Sequence, residues 1–416
     1  MRRQQSSWKT ILIVQALFLG AFAVGFAALN ERNTRRFEKL VTRTETRPEL
    51  PLPRREPLTI APLYDDPSVV TDAELAAVLA KIRPKFPASQ RKPNYVEHAL
   101  RAWGQSAEFR DPEVMSGAEL RDFLVDHSQY AASWSLSGDG HDVEPILVEQ
   151  SHGIDVRWGS QAALSVHHDH MLACLAEAGV SLDERVFTPS GLHHDVEDML
   201  QQALQDFRLD ERETEWSTLS FALYLPPTKE FRTATDRRID FDMLARRLIR
   251  GQRQLGVCSG THRVYSLMVL WRLDQEFDIL SDAAEAEVWN HLEGVRDSII
   301  ASQHPDGRWP TNWPDGANAL INPDPNSAEY REVIATGHHL EWLAIAPLEL
   351  HPPREQVRKA AAWLIANTTG KTEAEIRQKY TFYSHVGNAL ALWRNTHPAV
   401  FWKSWQSNAG SPAIAE

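Results

Sequence analysis

From about residue 160 onward, stretches that are apolar almost all round alternate with stretches that carry charge along one side. The first kind opens at His170-MLAC-Leu175, Trp216-STLSFALYL, His262-RVYS-Leu267, His338-HLEW-Leu343 and His385-VGNA-Leu390; the second covers 196–207, 241–252, 283–303 and 355–366. No run keeps the period of two that a half-buried strand needs, so both kinds read as helices. A helix that is apolar on every side must be covered on every side, whereas an amphipathic one covers others and faces water. The alternation predicts helical hairpins, each an inner helix followed by an outer one.

Spacing turns the alternation into a repeat. His338 and His385 are 47 residues apart, and His170 and His262 are 92 apart, twice 46. The copy between them falls on Trp216, without the His. His262 to His338 is 76 residues, and the excess is the Pro/Asn/Gly-rich stretch Pro310–Asn326, read as an inserted loop. Two helices every 40–50 residues make a hairpin array. Inner helices this apolar would leave a long exposed groove unless the array closed on itself. The expected fold is all-α: a toroid of about five or six repeats of ~46 residues over residues 71–404, with a disordered tail at 405–416.

The N-terminal part follows other rules. Residues 10–29 carry no charge, long enough to span a bilayer, and Arg2, Arg3 and Lys9 form a basic tail at 1–9 ahead of them. The only A-x-A site nearby, Ala21-Phe22-Ala23, lies inside the apolar run, which favours an uncleaved signal anchor over a cleaved signal peptide. Positive charges also follow the span, at Arg32, Arg35, Arg36, Lys39 and Arg43, and a strict count of flanking charges would keep the body in the cytoplasm. A short basic N-terminal tail normally stays inside, and the orientation expected here is body outside. Residues 30–70, with six prolines among scattered charges, read as a stalk that buries no core. The folded body is expected to begin at Thr71 or Asp72, which can cap the helix TDAELAAVLAKI.

Charge narrows the partners. The chain carries a formal net charge of −12, but residues 1–59 hold a net +6, so the remainder is at −18. A body this acidic excludes a nucleic-acid partner, which needs clustered Lys and Arg. The basic arm suits lipid headgroups beside the span. Two cysteines, Cys174 and Cys258, are too few for a disulfide framework or a four-thiolate zinc site. Fourteen tryptophans are read mainly as core, with the remainder available to line a cavity.

Gln303-HPD-Gly307-R-Trp309 resembles the Q-x-x-D-G-x-W signature of the terpenoid-cyclase and protein-prenyltransferase toroids, at the end of an outer helix. Physically, Gln303 would bond free backbone groups at helix ends, Asp306-Gly307 would turn the chain and Trp309 would stack on the Gln. Gly337-His338-His339-Leu340-Glu341-Trp342 is similar, more faintly, to a stretch of the N-acylglucosamine 2-epimerase-type (α/α)6 barrels. Both likenesses imply an α/α ring and neither transfers an activity. The aspartate clusters of terpene cyclases are absent. Cys258 and His338 match two members of the prenyltransferase zinc set of Asp, Cys and His, with no matching Asp.

If the inner helices run parallel, their N-terminal ends meet at one mouth, bringing together His170, His262, His338 and His385 and several positive helix-dipole ends that favour an anionic ligand. His262, His338 and His385 are the candidate acids and bases, Glu341, three residues after His338, the group that orients them, and Tyr265 and Tyr383 the assisting hydroxyls. A histidine at a helix start can also simply bond its own turn. The cluster His167, His168, Asp169, His170 is rich enough to bind a metal or merely to be solvated surface. Three readings compete: an acid–base enzyme (epimerase, lyase or hydrolase) on a carbohydrate or other polar or anionic small molecule; a non-catalytic binding or scaffold module at the membrane; a metal-dependent or lipid-handling toroid. No cofactor is specified by the sequence.

Overall fold

The fold was analysed in a computed structural model, which describes Gln15 and residues 54–409 apart from 136–142, 234–236, 252–256 and 326. The body is mostly helical. In chain order the helices are α1 (Asp72–Lys81), α2 (Pro93–Trp103), α3 (Gly117–Val125), α4 (His127–Trp134), α5 (His170–Glu177), α6 (Val196–Asp206), α7 (Glu215–Tyr224) and α8 (Phe241–Gly251). They continue as α9 (Thr261–Phe277), α10 (Asp282–Ser302), α11 (Asn318–Ile321), α12 (Glu329–Ala344), α13 (Arg354–Gly370), α14 (Glu373–Gln378), α15 (Tyr380–Leu392) and α16 (Pro398–Ala409).

Six of these close a cycle. α2 packs on α5, α5 on α7, α7 on α9, α9 on α12, α12 on α15, and α15 returns to α2. Their sequences explain the placement: every residue of α7, and nearly all of α5 and α15, is buried. The intervening helices bury one face only, as α8 does with Phe241, Leu244, Ala245 and Leu248, and α10 with Val288, Leu292, Val295 and Ile299. The first inner helix, α2, lies upstream of the region in which the repeat is legible, because two short helices, a hairpin and a long connection separate it from α5.

Among the described residues three short antiparallel hairpins decorate the connections: β1 (Leu147–Gln150) with β2 (Gly153–Val156), β3 (Arg185–Val186) with β4 (His194–Asp195), and β5 (Glu230–Arg232) with β6 (Arg238–Asp240). Strands of two to four residues are too short to leave an alternating pattern, so the sequence reads as helix and turn only.

The Gln303 motif sits at the C-terminal end of α10. Gln303 donates to the carbonyls of Gly307 and Gln356, both at 2.8 Å, so one side chain serves its own turn and the start of α13. Gly307 has φ +107°, and a Cβ there would come within 2.3 Å of the Lys359 carbonyl. Trp309 is buried, with its ring edge-on to His339 at 5.3 Å and its Nε1 donating to the Ile299 carbonyl at 2.8 Å. Of the thirteen described tryptophans, seven are buried: Trp103, Trp216, Trp309, Trp313, Trp342, Trp393 and Trp402.

The chain joins the body earlier than the helix at residue 71. Residues 54–66 run as a strap across the C-terminal ends of inner helices: the N–H groups of Arg54, Leu58, Leu63 and Asp66 bond the carbonyls of Tyr224, Leu223, Ala344 and Trp393. Tyr64 stacks on Trp393 at 5.5 Å. A set of parallel helices gathers its unsatisfied terminal carbonyls at one end, and a proline-interrupted segment with free N–H groups is suited to cap them. The stalk expectation thus gives way to a strap for 54–70; residues 30–53 lie outside the described residues. At the other end of the chain, α16 carries helix through Ala409, into the expected disordered tail. Among the described residues no helix is long and apolar enough to cross a membrane, and the expected anchor at 10–29 lies outside them, Gln15 excepted.

Candidate active site at the mouth of the helix ring

Each inner helix sends one ring to the axis: His98 from α2, His170 from α5, Trp216 from α7, His262 from α9, His338 from α12 and His385 from α15. Successive centroids lie 4.7, 4.4, 4.2, 4.0, 3.8 and 5.3 Å apart around the circle, the last distance closing His385 onto His98. All six side chains are buried. The equivalence follows from the repeat: related positions on related helices face the same way.

One helical turn further along lies a second, charged layer. Arg101 is three residues after His98, Tyr265 three after His262, Glu341 three after His338 and Asn388 three after His385. Arg101 donates to Glu177 at 2.7 Å and to Glu341 at 3.0 Å; Asn388 donates to Glu341 at 2.8 Å. Burial opposes ionisation of Glu341, but Arg101, then His385 and His338, outweigh it and hold the carboxyl well below its usual range. The same charges sustain Arg101: burial works against its cation, and Glu177 and Glu341 more than offset this.

The charged layer sets the tautomers above it. His338 Nδ1 lies 2.5 Å from Glu341 Oε2, and beside an ionised carboxylate it carries the proton, leaving the Nε2 lone pair free. His385 Nδ1 faces both Arg101 Nη1 at 3.0 Å and Glu341 Oε1 at 3.4 Å; the arginine is the nearer and can only donate, so the ring that accepts from it carries its proton on Nε2. Neither Nε2 has a hydrogen-bond partner among the described residues, and both nitrogens of His262 are without one. Burial, joined by neighbouring imidazoles, keeps His262 and His385 far below the ordinary histidine range; burial also lowers His338, with Glu341 opposing. At neutral pH these are uncharged imidazoles.

A cavity of about 700 Å³ opens directly above the rings. His98, Trp216, Cys258 and His262 form its floor, and the starts of the inner helices form its wall, with Asn94, Tyr330, Thr381 and Phe382 among the lining residues. The inserted loop contributes Thr311, Asn312 and Asp324. Arg212 and Arg331 stand exposed at the rim. Parallel inner helices thus present their N-terminal, electropositive ends to this one space.

Of the predicted site residues only His262 lines it; His338, His385 and Glu341 lie beneath the floor, and the two tyrosines go elsewhere. Tyr265 sits in the charged layer with Arg101 5.2 Å from its ring centre, and lines a small cavity at the opposite end of the ring, beside strap residues Leu58, Thr59 and Ile60. Tyr383 points outward and donates to Asn367 of α13 at 3.0 Å. It is two residues before His385, about 200° round the helix, so it cannot share that side chain's direction. The 167–170 cluster splits: His167 faces Glu213 at 2.5 Å on the cavity wall, His168 faces Glu211 at 3.4 Å, and His170 enters the ring with Nδ1 2.5 Å from Glu97. His98, Arg101, Glu97 and Glu177 were not legible as site residues. The available signal was an arginine and a glutamate inside the otherwise apolar helix 96–103.

No family model, no curated protein and no solved structure matches this chain.

Proposed function

We propose that this chain is an α/α toroid that takes a polar, carbohydrate-like small molecule into the mouth of the ring and acts on it by proton transfer, the body being tethered to a membrane by residues 10–29. The observation that carries the reading is the set of unpartnered imidazole nitrogens beneath a cavity large enough for a sugar. An unpaired buried polar atom costs about 1–3 kcal/mol, and a fold keeps several together where something else supplies the partner. The cycle of six inner helices supports the toroid, and the tautomers support complementary roles: His338 Nε2 accepts a proton, His385 Nε2–H donates one, Glu341 orients the first ring and Arg101 the second. Tyr330 and Phe382 offer faces for stacking, while Arg212, Arg331, Asp324 and Asn312 offer hydrogen bonds. With two arginines and two acids among the lining residues, Glu213 being the second acid, the walls suit a neutral or singly charged sugar better than a polyanion. Contact with lipid falls to the anchor and the basic arm at 30–53, and the orientation read from the short N-terminal tail puts the mouth outside the cytoplasm.

One observation favours a binding module without turnover: the six rings fill the axis, so a ligand stops at the mouth and touches the inner imidazoles from one side only. Product formation separates the two. The full-length chain, purified in detergent, is incubated with neutral, amino and acidic oligosaccharides and followed by mass spectrometry, with thermal shift reporting binding. The expected outcome is binding of at least one class with a product that His385→Ala no longer forms, at unchanged circular dichroism. Binding without product makes the protein a module, and no binding across the panel removes the carbohydrate reading.

A further inference from the structure

At the floor of the cavity and just beneath it lies a donor set of which the proton-transfer reading uses only His338 Nε2, as a proton acceptor, a role that nitrogen gives up when it binds a metal. One ligand atom from each of Cys258, His262 and His338 lies within 4.8 Å of the other two. In a tetrahedral site with Zn–S of about 2.3 Å and Zn–N of about 2.0–2.1 Å, ligand atoms stand roughly 3.3–3.6 Å apart, so a contraction of up to about 1.5 Å closes these three around one ion. We propose that Cys258, His262 and His338 bind a single zinc-class divalent cation, with its fourth position open to the cavity. The inference shares the cavity of the proposed function and does not depend on which molecule enters it.

Four observations support the assignment independently of any substrate. His262 and His338 are buried to 1% and 0% exposure, and His262 Nδ1 and Nε2 and His338 Nε2 have no partner among the described residues. His338 has the arrangement found behind metal-binding imidazoles: Nδ1 on a carboxylate, here Glu341 at 2.5 Å, which fixes the ring and directs the Nε2 lone pair. Glu341 is itself held by Arg101 and Asn388, so three more side chains support the ligand. The cysteine is also held firmly. Cys258, Ser259 and Gly260 have φ of +51°, +61° and +77°, a turn that costs energy at the two non-glycine positions. Thr261 Oγ1 donates to the Cys258 carbonyl at 2.6 Å, and Trp313 Nε1, from the inserted loop, donates to the Ser259 carbonyl at 3.0 Å.

The ligand chemistry selects the ion. One thiolate and two neutral imidazoles suit zinc, and exclude calcium or magnesium, which take oxygen. Three protein ligands with a free position are the arrangement of catalytic rather than structural zinc. Here Cys258 and His262 border the cavity, so the free position faces the space a substrate would occupy. The His385 Nε2–H lies in the same ring of imidazoles, with centroids 3.8 Å from His338 and 5.6 Å from His262, and can donate to an oxygen bound there.

The test is metal binding read directly. Full-length protein is stripped with chelator and titrated with Co2+, whose absorption reports geometry and sulfur ligation. The expected result is one Co2+ per chain with tetrahedral bands and a sulfur-to-cobalt charge-transfer band, all displaced by Zn2+. Cys258→Ser removes the charge-transfer band, Cys174→Ser retains it, and His338→Asn weakens binding at least tenfold. Should Cys258→Ser fail to fold, wild-type protein still decides the matter, since Zn2+ is expected to protect Cys258 from alkylation in a mass-spectrometric footprint. Absence of stoichiometric Co2+ uptake, a cobalt spectrum unchanged in Cys258→Ser, or no protection of Cys258 overturns the site. Metal uptake with no response to any sugar would remove the proposed function and leave this site standing; sugar binding without metal uptake would do the reverse.

Discussion

The two ends of the helix ring differ in how they treat polar groups. At the C-terminal end, the strap bonds carbonyls at the ends of three inner helices, and the layer just above pairs Arg101 with Glu177 and Glu341. At the N-terminal end, buried imidazole nitrogens lie unpaired beneath a cavity of about 700 Å³. Both ends are built from equivalent turns of the same helices, so repetition alone does not explain the contrast. What separates them is room: polar atoms pair with one another at the end whose cavity holds only about 50 Å³, and are left open where a ligand fits. The paired end supplies rigidity, and the unpaired end is held in place by it through Glu341.

Cutting away the strap tests the contrast most severely. Removal of residues 1–52 is expected to leave a cooperatively folding body, whereas removal of 1–66 exposes the capped carbonyls and the Trp393 face, and loses the cooperative thermal transition. Equal melting curves for the two truncations would make the strap incidental.

A pair of substitutions sharpens the comparison within the ring. Arg101→Met strands two buried carboxylates and is expected to cost about 3–5 kcal/mol in denaturant unfolding. His262→Leu replaces an unpaired buried imidazole by an apolar group of similar size; it is expected to lie within about 1 kcal/mol of wild type, or above it, while ligand binding is lost. Comparable destabilisation by both would show that His262 is a packing residue.

The smallest effect at neutral pH is a change of slope. Glu97 faces His170 and His167, with the Ser165 hydroxyl nearby, and burial raises its carboxyl from 4.5 to about 8. Between those values the folded chain keeps a proton that the unfolded chain has released, so stability falls as pH rises from about 4.5 to about 8. In urea titrations across that range, Glu97→Gln is expected to lack this component of the decline. Parallel profiles would place Glu97 in its ionised form throughout.

Legibility followed helical geometry. His262, His338 and His385 could be aligned because each stands five residues before a Leu in a mostly apolar helix, although 76 residues separate the first two and 47 the last two. His98 escaped because the residue five positions on is Trp103 rather than Leu, and because α3, α4 and the β1–β2 hairpin stretch its distance from His170 to 72 residues. Tyr265 and Tyr383 stood close to the right residues in sequence, but one turn of axial displacement carried the first to the charged layer and 200° of rotation carried the second outside the ring.

By itself, the sequence determined that the body is mostly helical, that fully apolar helices alternate with amphipathic ones, and the identity of three of the imidazoles, because these are local patterns that any helix must express. Only the tertiary structure decided that α2 completes the cycle, that residues 54–66 cap its far end, and that Cys258 meets His262 and His338. Those relations join positions from 4 to about 330 residues apart, and they depend on which helix ends carry unsatisfied groups once the ring has closed.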